Sequence, residues 1–476
     1  MDALEFVVRA GPHDRRACPV WVQLPVPPEP FPTLTIIDEA SNEIPCQAEV
    51  VGMGAESRLA VAFVVRDLPA RSSRAFRIVP GPPILPLVVP DVPTDVMVET
   101  AHGVATEVAG TEGVASGPSV PAMSETAVAA SGASDERSLS QAHDADESSA
   151  VEADQAEPVP VAAVAPREKV PGVFLEEVEG RLLIEIDGEV FTAYHFGSDV
   201  TRPFFHPLIG PTGASVVRDF PMVEDVDGET SDHPHHRGMW TAHGDVNGHD
   251  NWLEGSGKAS IRHTGFPRLV SGPVYGSFDA SAEWIDRWGS TALTDTRRVT
   301  IFNLGPDERL VEYAIRVSAS HGQVTFGDTK EAGIVSIRVA SSMDGPTRDR
   351  PEGRGKIETA DGSIGETEAW GRRAAWCDYS GPVGDDIVGI AVLDHPTNPR
   401  FPTHWHVRDY GLMTVNPFGL HDFTGDTNAH LGDLIVPPYE SRVFRYRILI
   451  HRGDATAGEV RERYHDFVNP PVVEMR

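Results

Sequence analysis

The chain has 476 residues, 40% of them hydrophobic, and its 71 acidic against 40 basic side chains give a formal charge of −31. A surface this acidic repels nucleic-acid phosphates and anionic lipid, which excludes either as the main partner. No apolar run reaches the ~18–20 residues that span a bilayer, and the start MDALEFVVRAG lacks the basic-then-apolar order of a secretory signal. Three cysteines, Cys18, Cys46 and Cys377, with no C-x-x-C spacing, fit a reducing compartment. A cytoplasmic protein with a small-molecule or oligosaccharide partner is expected.

Residues 1–88 read as a small β-sandwich domain. Short alternating strands at Leu4–Val8, Val20–Leu24, Leu34–Ile37, Gln47–Val51, Leu59–Val65 and Arg74–Val79 are separated by proline and glycine clusters. Residues 89–170 read as a disordered acidic linker. Asp91–Val170 carries 15 acidic against 3 basic residues and no aromatic side chain, too little apolar surface to offset the entropy of ordering. Such a segment would let the flanking domains stand well apart.

From Gly172 the strand pattern resumes. Arg181–Ile186, Glu189–Tyr194, Ala259–Thr264, Ser277–Ile285, Thr294–Phe302, Leu310–Val317, Val324–Phe326, Ser336–Val339, Ile387–Leu393, Gly411–Val415 and Ser441–Ile450 all look extended. One helix is expected, Ala457–Phe467, capped from Asp454. A dozen or more antiparallel strands over residues 171–476 predict two large packed sheets, an all-β fold.

Asp232–Trp252 concentrates chemistry. It reads DHPHHRGMWTAHGDVNGHDNW and holds five of the 19 histidines. Burying so many imidazoles and carboxylates without partners costs several kcal/mol each, so they line a wet cleft or serve a ligand. If the stretch is extended, His233, His235 and Arg237 share one face, and His243 and Asp245 form a second i,i+2 pair. Two readings use these residues. In one, His233, His235, His243 and Asp245 hold a divalent transition metal, giving an oxygenase or hydrolase. In the other, Arg237 clamps an acidic sugar or hydroxy acid, a histidine transfers a proton, and Trp240 or Trp252 offers a face to the ring. Loop-stitching hydrogen bonds without function are the plain alternative.

A second constellation lies downstream, at His395-Pro-Thr-Asn-Pro-Arg400, His404-Trp-His406-Val-Arg408-Asp-Tyr410 and Asn416-Pro-Phe-Gly-Leu-His421. Period-two spacing places His404, His406, Arg408 and Tyr410 on one strand face; an exposed edge strand is the plain alternative. Lys330-Glu331 reads as a surface ion pair. No phosphate-binding loop, dinucleotide fingerprint or G-x-S-x-G elbow occurs.

The blocks TRPFFHPLIGPTG, DHPHHRGMWTAHGDVNG, HPTNPRFPTHWHVRDYG and NPFGLHDF together resemble the bacterial DUF6807 family, over roughly Gly172–Arg476. That family also carries the label PmoA-like, or methane oxygenase PmoA. The label implies a subunit with many spanning helices, which a β-rich chain without a spanning segment contradicts. The resemblance implies instead a galactose-mutarotase-like β-supersandwich, by fold analogy alone.

The expected function is mutarotase-, epimerase- or lyase-type acid–base chemistry on a sugar. His235 or His243 serves as base, His406 as acid, and Arg237 and Arg408 as clamps, with Asp245 orienting a histidine. His236, Trp240, Asn247, Trp252, His404, Asn416 and His421 are expected to contact the substrate. A metal-dependent enzyme and a non-catalytic carbohydrate-binding protein are the alternatives.

Overall fold

The computed structural model describes residues 3–26, 32–52, 57–83 and 170–476. The acidic linker expected over 89–170 lies almost wholly outside the described residues. The rest is all-β: a large antiparallel sandwich preceded by a small one.

The large sandwich has two eight-stranded sheets. The front sheet runs, edge to edge, His404–Val407, Leu412–Asn416, Ala332–Arg338, Met239–His243, Phe204–Leu208, Glu189–His195, Arg181–Ile186 and Val173–Val178. The back sheet runs Ser260–Val270, Tyr275–Ile285, Thr291–Phe302, Glu308–Ser318, Ser441–Arg452, Asp386–Asp394, Trp376–Val383 and Lys356–Thr359. Side chains alternate across each strand. Met239, Ile337, Met413, Val415, Trp405 and Val407 of the front sheet therefore meet Phe278, Val299, Ile315, Tyr446 and Ile448 of the back sheet in one core.

That core holds a polar tie. Thr241 Oγ1 lies 2.8 Å from Tyr313 Oη, and beside it Arg297 forks onto Asp295, which also accepts the Trp284 indole N–H at 2.6 Å. Buried ion pairs persist only when their remaining hydrogen bonds are met. Here the tie pins the strand that leads out of the histidine-rich segment.

The N-terminal strands form a five-stranded and a three-stranded sheet. The last strand of the chain, Val472–Met475, pairs with Leu4–Arg9 and completes the first of these. Ala62, Trp21 and Val64 pack on Tyr275, Phe302, Trp376 and Leu449 of the back sheet's outer face. Ion pairs Arg15–Asp466 at 2.7 Å and Arg268–Glu49 at 2.5 Å cross the same boundary. The two sandwiches therefore stand against each other and not apart, because the N-terminal part borrows a strand and a salt-bridged helix from the C-terminus.

That helix spans Val460–Val468, three residues later than expected. Asp454 Oδ1 accepts the Ala457 N–H, so its cap closes the preceding turn, and Glu459 in the left-handed region starts the helix itself.

Candidate functional site

The front sheet's outer face carries the candidate site. Register places His406 opposite Thr414, Thr414 opposite Ser336, Ser336 opposite Trp240, Trp240 opposite Phe204, and Phe204 opposite His195. One row of side chains thus crosses six strands. From His406 to Trp240 it covers about 14 Å at the ~4.8 Å strand spacing. Trp240 Nε1, Ser336 Oγ and Thr414 Oγ1 are all buried and have no hydrogen-bond partner among the described residues. Buried polar groups are nearly always satisfied, and three consecutive exceptions on one row mark a place for ligand or ordered water. Gly333, opposite Ala242 in register, is packed closely against the row. A Cβ on Gly333 would lie 2.4 Å from Ser336 Oγ.

His406 ends the row. Its Nδ1 donates to the Lys330 carbonyl at 2.8 Å, which leaves Nε2 as a lone-pair acceptor in the neutral ring. Burial pushes His406 down to about 4, so the ring is neutral at pH 7. In this state Nε2 is free to accept a proton, whereas the general-acid role expected from the sequence requires the charged ring. The same Lys330 carbonyl accepts Asn416 Nδ2 at 3.0 Å. Asn416 also donates to the Thr329 carbonyl, and its Oδ1 receives the Phe418 and Gly419 N–H groups. All its capacity is used, so Asn416 positions the 329–331 segment and has nothing left for substrate.

Glu331 follows on that segment, and its carboxylate links the two histidine constellations. Despite burial, His406, Lys330 and His235 hold it below the usual carboxylate range. Read from sequence as a surface pair, Lys330–Glu331 does form one at 2.8 Å, but at the mouth of the site.

The 232–238 segment is a turn and not a strand. His233 adopts φ 47° and the His236 N–H bonds back to the His233 carbonyl at 3.0 Å. The i,i+2 face expected for His233, His235 and Arg237 is therefore absent. Proline at 234 and the left-handed His233 redirect the chain. The turn stacks its rings: Trp240 on His236 at 5.2 Å, His236 on His233 at 4.8 Å, and His233 on Tyr410 at 5.1 Å. Tyr410 sits at the tip of the hairpin that follows Arg408, with the Arg338 guanidinium 4.9 Å from its ring centre. Asp232 anchors the turn. It accepts Arg218 at 2.6 Å and Arg338 at 2.8 Å on one oxygen, and faces His233 Nδ1 at 2.5 Å on the other.

His235 is half-buried, with neither ring nitrogen bonded to a described residue. Burial, and next the Arg202 charge, push it down to about 4. Arg237 does not reach out as a fork, because Nε and Nη2 are closed on this chain's own Glu254 at 2.9–3.1 Å. Glu254 also takes the buried Arg202 at 3.0 Å. Trp252 is fully buried against His235, His236 and Trp240, and so forms the wall behind the turn. Arg408 is likewise paired, with Glu366 at 2.8 Å, and lies 6.0 Å from the Tyr410 ring centre.

The metal set His233, His235, His243 and Asp245 is not assembled. His243 points through the sheet into the core, its ring between Phe326 at 5.3 Å and Phe418 at 4.5 Å. Burial pushes it down to about 3. His235 and His236 lie on the opposite face with Trp240. Among the described residues no group of three His, Cys, Asp or Glu side chains is arranged to hold a metal. His243, expected as base, lies in the core and away from the site face. Asp245 meets it through its backbone N–H, which donates to His243 Nδ1 at 3.3 Å, and not through the carboxylate expected to accept a ring proton. Asp245 instead accepts the Gly248 N–H at 2.7 Å.

Three further expected contacts turn out to be ties. Asn247 bonds the backbone of Thr325 and Gln323. His404 Nδ1 donates to the Gly371 carbonyl and its ring stacks on Phe423. His421 pairs with Asp328 at 2.9 Å, which raises its pKa. Sequence reading missed Ser336, Thr414 and Arg338. The available signal was a lone hydroxyl in each of the otherwise apolar runs GIVSI and LMTV.

A cavity of about 1080 Å³ lies elsewhere, among Arg16, Asp67, Glu358, Trp376, Glu459 and Tyr464. None of the side chains of the His406–Trp240 row lines it.

No helix among the described residues is long and apolar enough to cross a membrane. No curated protein matches the chain. Two solved structures are similar at 11% identity and a TM-score of 0.35. They are a protein in the glycosyl hydrolase family 38 from Enterococcus faecalis and an alpha-mannosidase from Enterococcus faecalis V583. The matches cover 100% of this chain and 47% and 46% of theirs, so the chain spans about half their length. A family model described as "Family of unknown function (DUF6807)" matches residues 181–465, and the chain belongs to that family.

Proposed function

We propose that the outer face of the front sheet binds a sugar and moves a proton on it, as in a mutarotase, epimerase or lyase. The observation that carries this reading is the row of unpartnered Trp240 Nε1, Ser336 Oγ and Thr414 Oγ1 ending on His406. These are neutral donors and acceptors spaced along a line, which suits hydroxyl groups that both give and take hydrogen bonds. His406 Nε2, with its Nδ1 proton committed to the Lys330 carbonyl, is the group placed to accept a proton from the sugar. Glu331, ionised beside it, stabilises the imidazolium that forms. On the other flank Tyr410, pushed up to about 12 by burial, stays protonated at neutral pH and is the donor. Arg338 and Arg408 beside its ring stabilise charge developing on the oxygen it protonates.

The experiment is an NMR panel of mono- and disaccharides in D₂O. Mutarotase chemistry accelerates anomer exchange, epimerase chemistry adds deuterium at carbon, and lyase chemistry yields an unsaturated product. His406→Gln should abolish whichever signal appears while leaving the fold intact. Binding without any of the three would favour the carbohydrate-binding alternative and refute catalysis.

A further inference from the structure

We infer that the sugar is anionic, and that its negative group is read at the Arg202–Arg237 end of the site; this rests on the function proposed above. Two guanidinium groups share one carboxylate there. Arg202 Nη1 lies 3.0 Å from Glu254, and Arg237 closes on both oxygens of the same group. The neighbouring pair Lys258–Asp250, at 2.9 Å, is self-neutral. One positive charge is therefore left uncompensated in a chain whose overall charge is −31.

The surplus faces the site. Arg237 is partly exposed, 24% of its side chain, and its Nη1 has no partner among the described residues. Arg202 Nε, fully buried, is also unpartnered. Arg202 donates to the carbonyls of His235 and Trp252, so its charge sits against the backbone of the turn that bears His235. His235 registers it, since the Arg202 charge is the second cause, after burial, of its neutral state. A carboxylate or phosphate beside Arg237 balances the pair, as guanidinium groups prefer. Arg237 stands over Phe204, beyond Trp240 in the row, and His406 lies about 14 Å past Trp240. The ligand that joins them is therefore an oligosaccharide, its anionic unit at Arg237 and its neutral units along the row.

The test uses the full chain at low salt, titrated with neutral gluco-, galacto- and manno-trisaccharides and with the same trisaccharides carrying a hexuronate or a hexose 6-phosphate at one end. The anionic ligands should bind at least tenfold more tightly than their neutral counterparts, the two anionic arms separating carboxylate from phosphate. Arg237→Gln keeps a hydrogen bond to Glu254 but leaves Arg202 paired one to one, and should erase the preference. Arg237→Lys should retain it, which guards against a variant that merely unfolds. Equal binding of neutral and anionic sugars, or a preference surviving in Arg237→Gln, overturns this inference and leaves the proposed function standing. No binding by any sugar overturns both.

Discussion

Replacing Glu254 with alanine tests how the site is held. Arg202 is 1% exposed in its side chain, and its remaining acceptors are the carbonyls of His235 at 3.1 Å, Trp252 at 2.7 Å and Leu253 at 3.4 Å. None of these carries charge, so the substitution strands a buried guanidinium. Breaking such a pair from one side costs about 3–5 kcal/mol; partly exposed Arg237 adds less, because water screens it. Urea titration followed by tryptophan fluorescence gives the magnitude, with Trp252 as a reporter inside the affected wall. Glu254→Ala combined with Arg202→Met should recover much of the loss, since an apolar chain needs no counter-charge. A single variant within about 1 kcal/mol of wild type would refute the claim that this carboxylate holds the turn bearing His235.

Other outcomes follow from individual groups. Thr414→Val removes a buried hydroxyl without a partner and is expected to raise stability by about 1 kcal/mol while weakening sugar binding, read by paired melting and titration curves. His243→Phe should be tolerated between Phe326 and Phe418 and leave activity unchanged; loss of activity with intact folding would revive a direct role for it. The acidic limb of kcat/KM should fall near pH 4 and not near the usual histidine value, because His406 is held at about 4. The same group links stability to pH. The unfolded chain takes up this proton near 6.5 and the folded chain only near 4, so stability is lost as pH falls between those values. For His406 the loss between pH 7 and 5 is about 2 kcal/mol, and His406→Gln should remove that share of the pH dependence.

Strand after strand was legible because alternation and β-branched residues announce it: Arg181–Ile186 and Val324–Phe326 lie where the pattern placed them. The histidine-rich segment was recognisable as a place of interest, and its internal geometry was not. Residue spacing assigns faces only within a strand, and His233 leaves the extended region at φ 47°. The strand begins at Met239, which sends His243 to the core and Trp240 to the site. His404 and His406 do share a strand face, as period two required. Their burial depends on the loops laid over that edge, and local sequence carries no record of those loops. Pairing hides function in a similar way. Arg237 and Arg408 look like free clamps in sequence because Glu254 and Glu366, which occupy them, lie 17 and 42 residues away. Ser336 and Thr414 matter only because strand register sets them side by side.

The measurement that bears most directly on the central claim is a crystal structure with a bound anionic sugar. One ring should lie over Ser336 and Thr414 with a hydroxyl on His406 Nε2, and the anionic unit of the same oligosaccharide should lie at Arg237. A sugar seated instead in the cavity beside Trp376 and Tyr464, with the Trp240–Ser336–Thr414 row untouched, would contradict it.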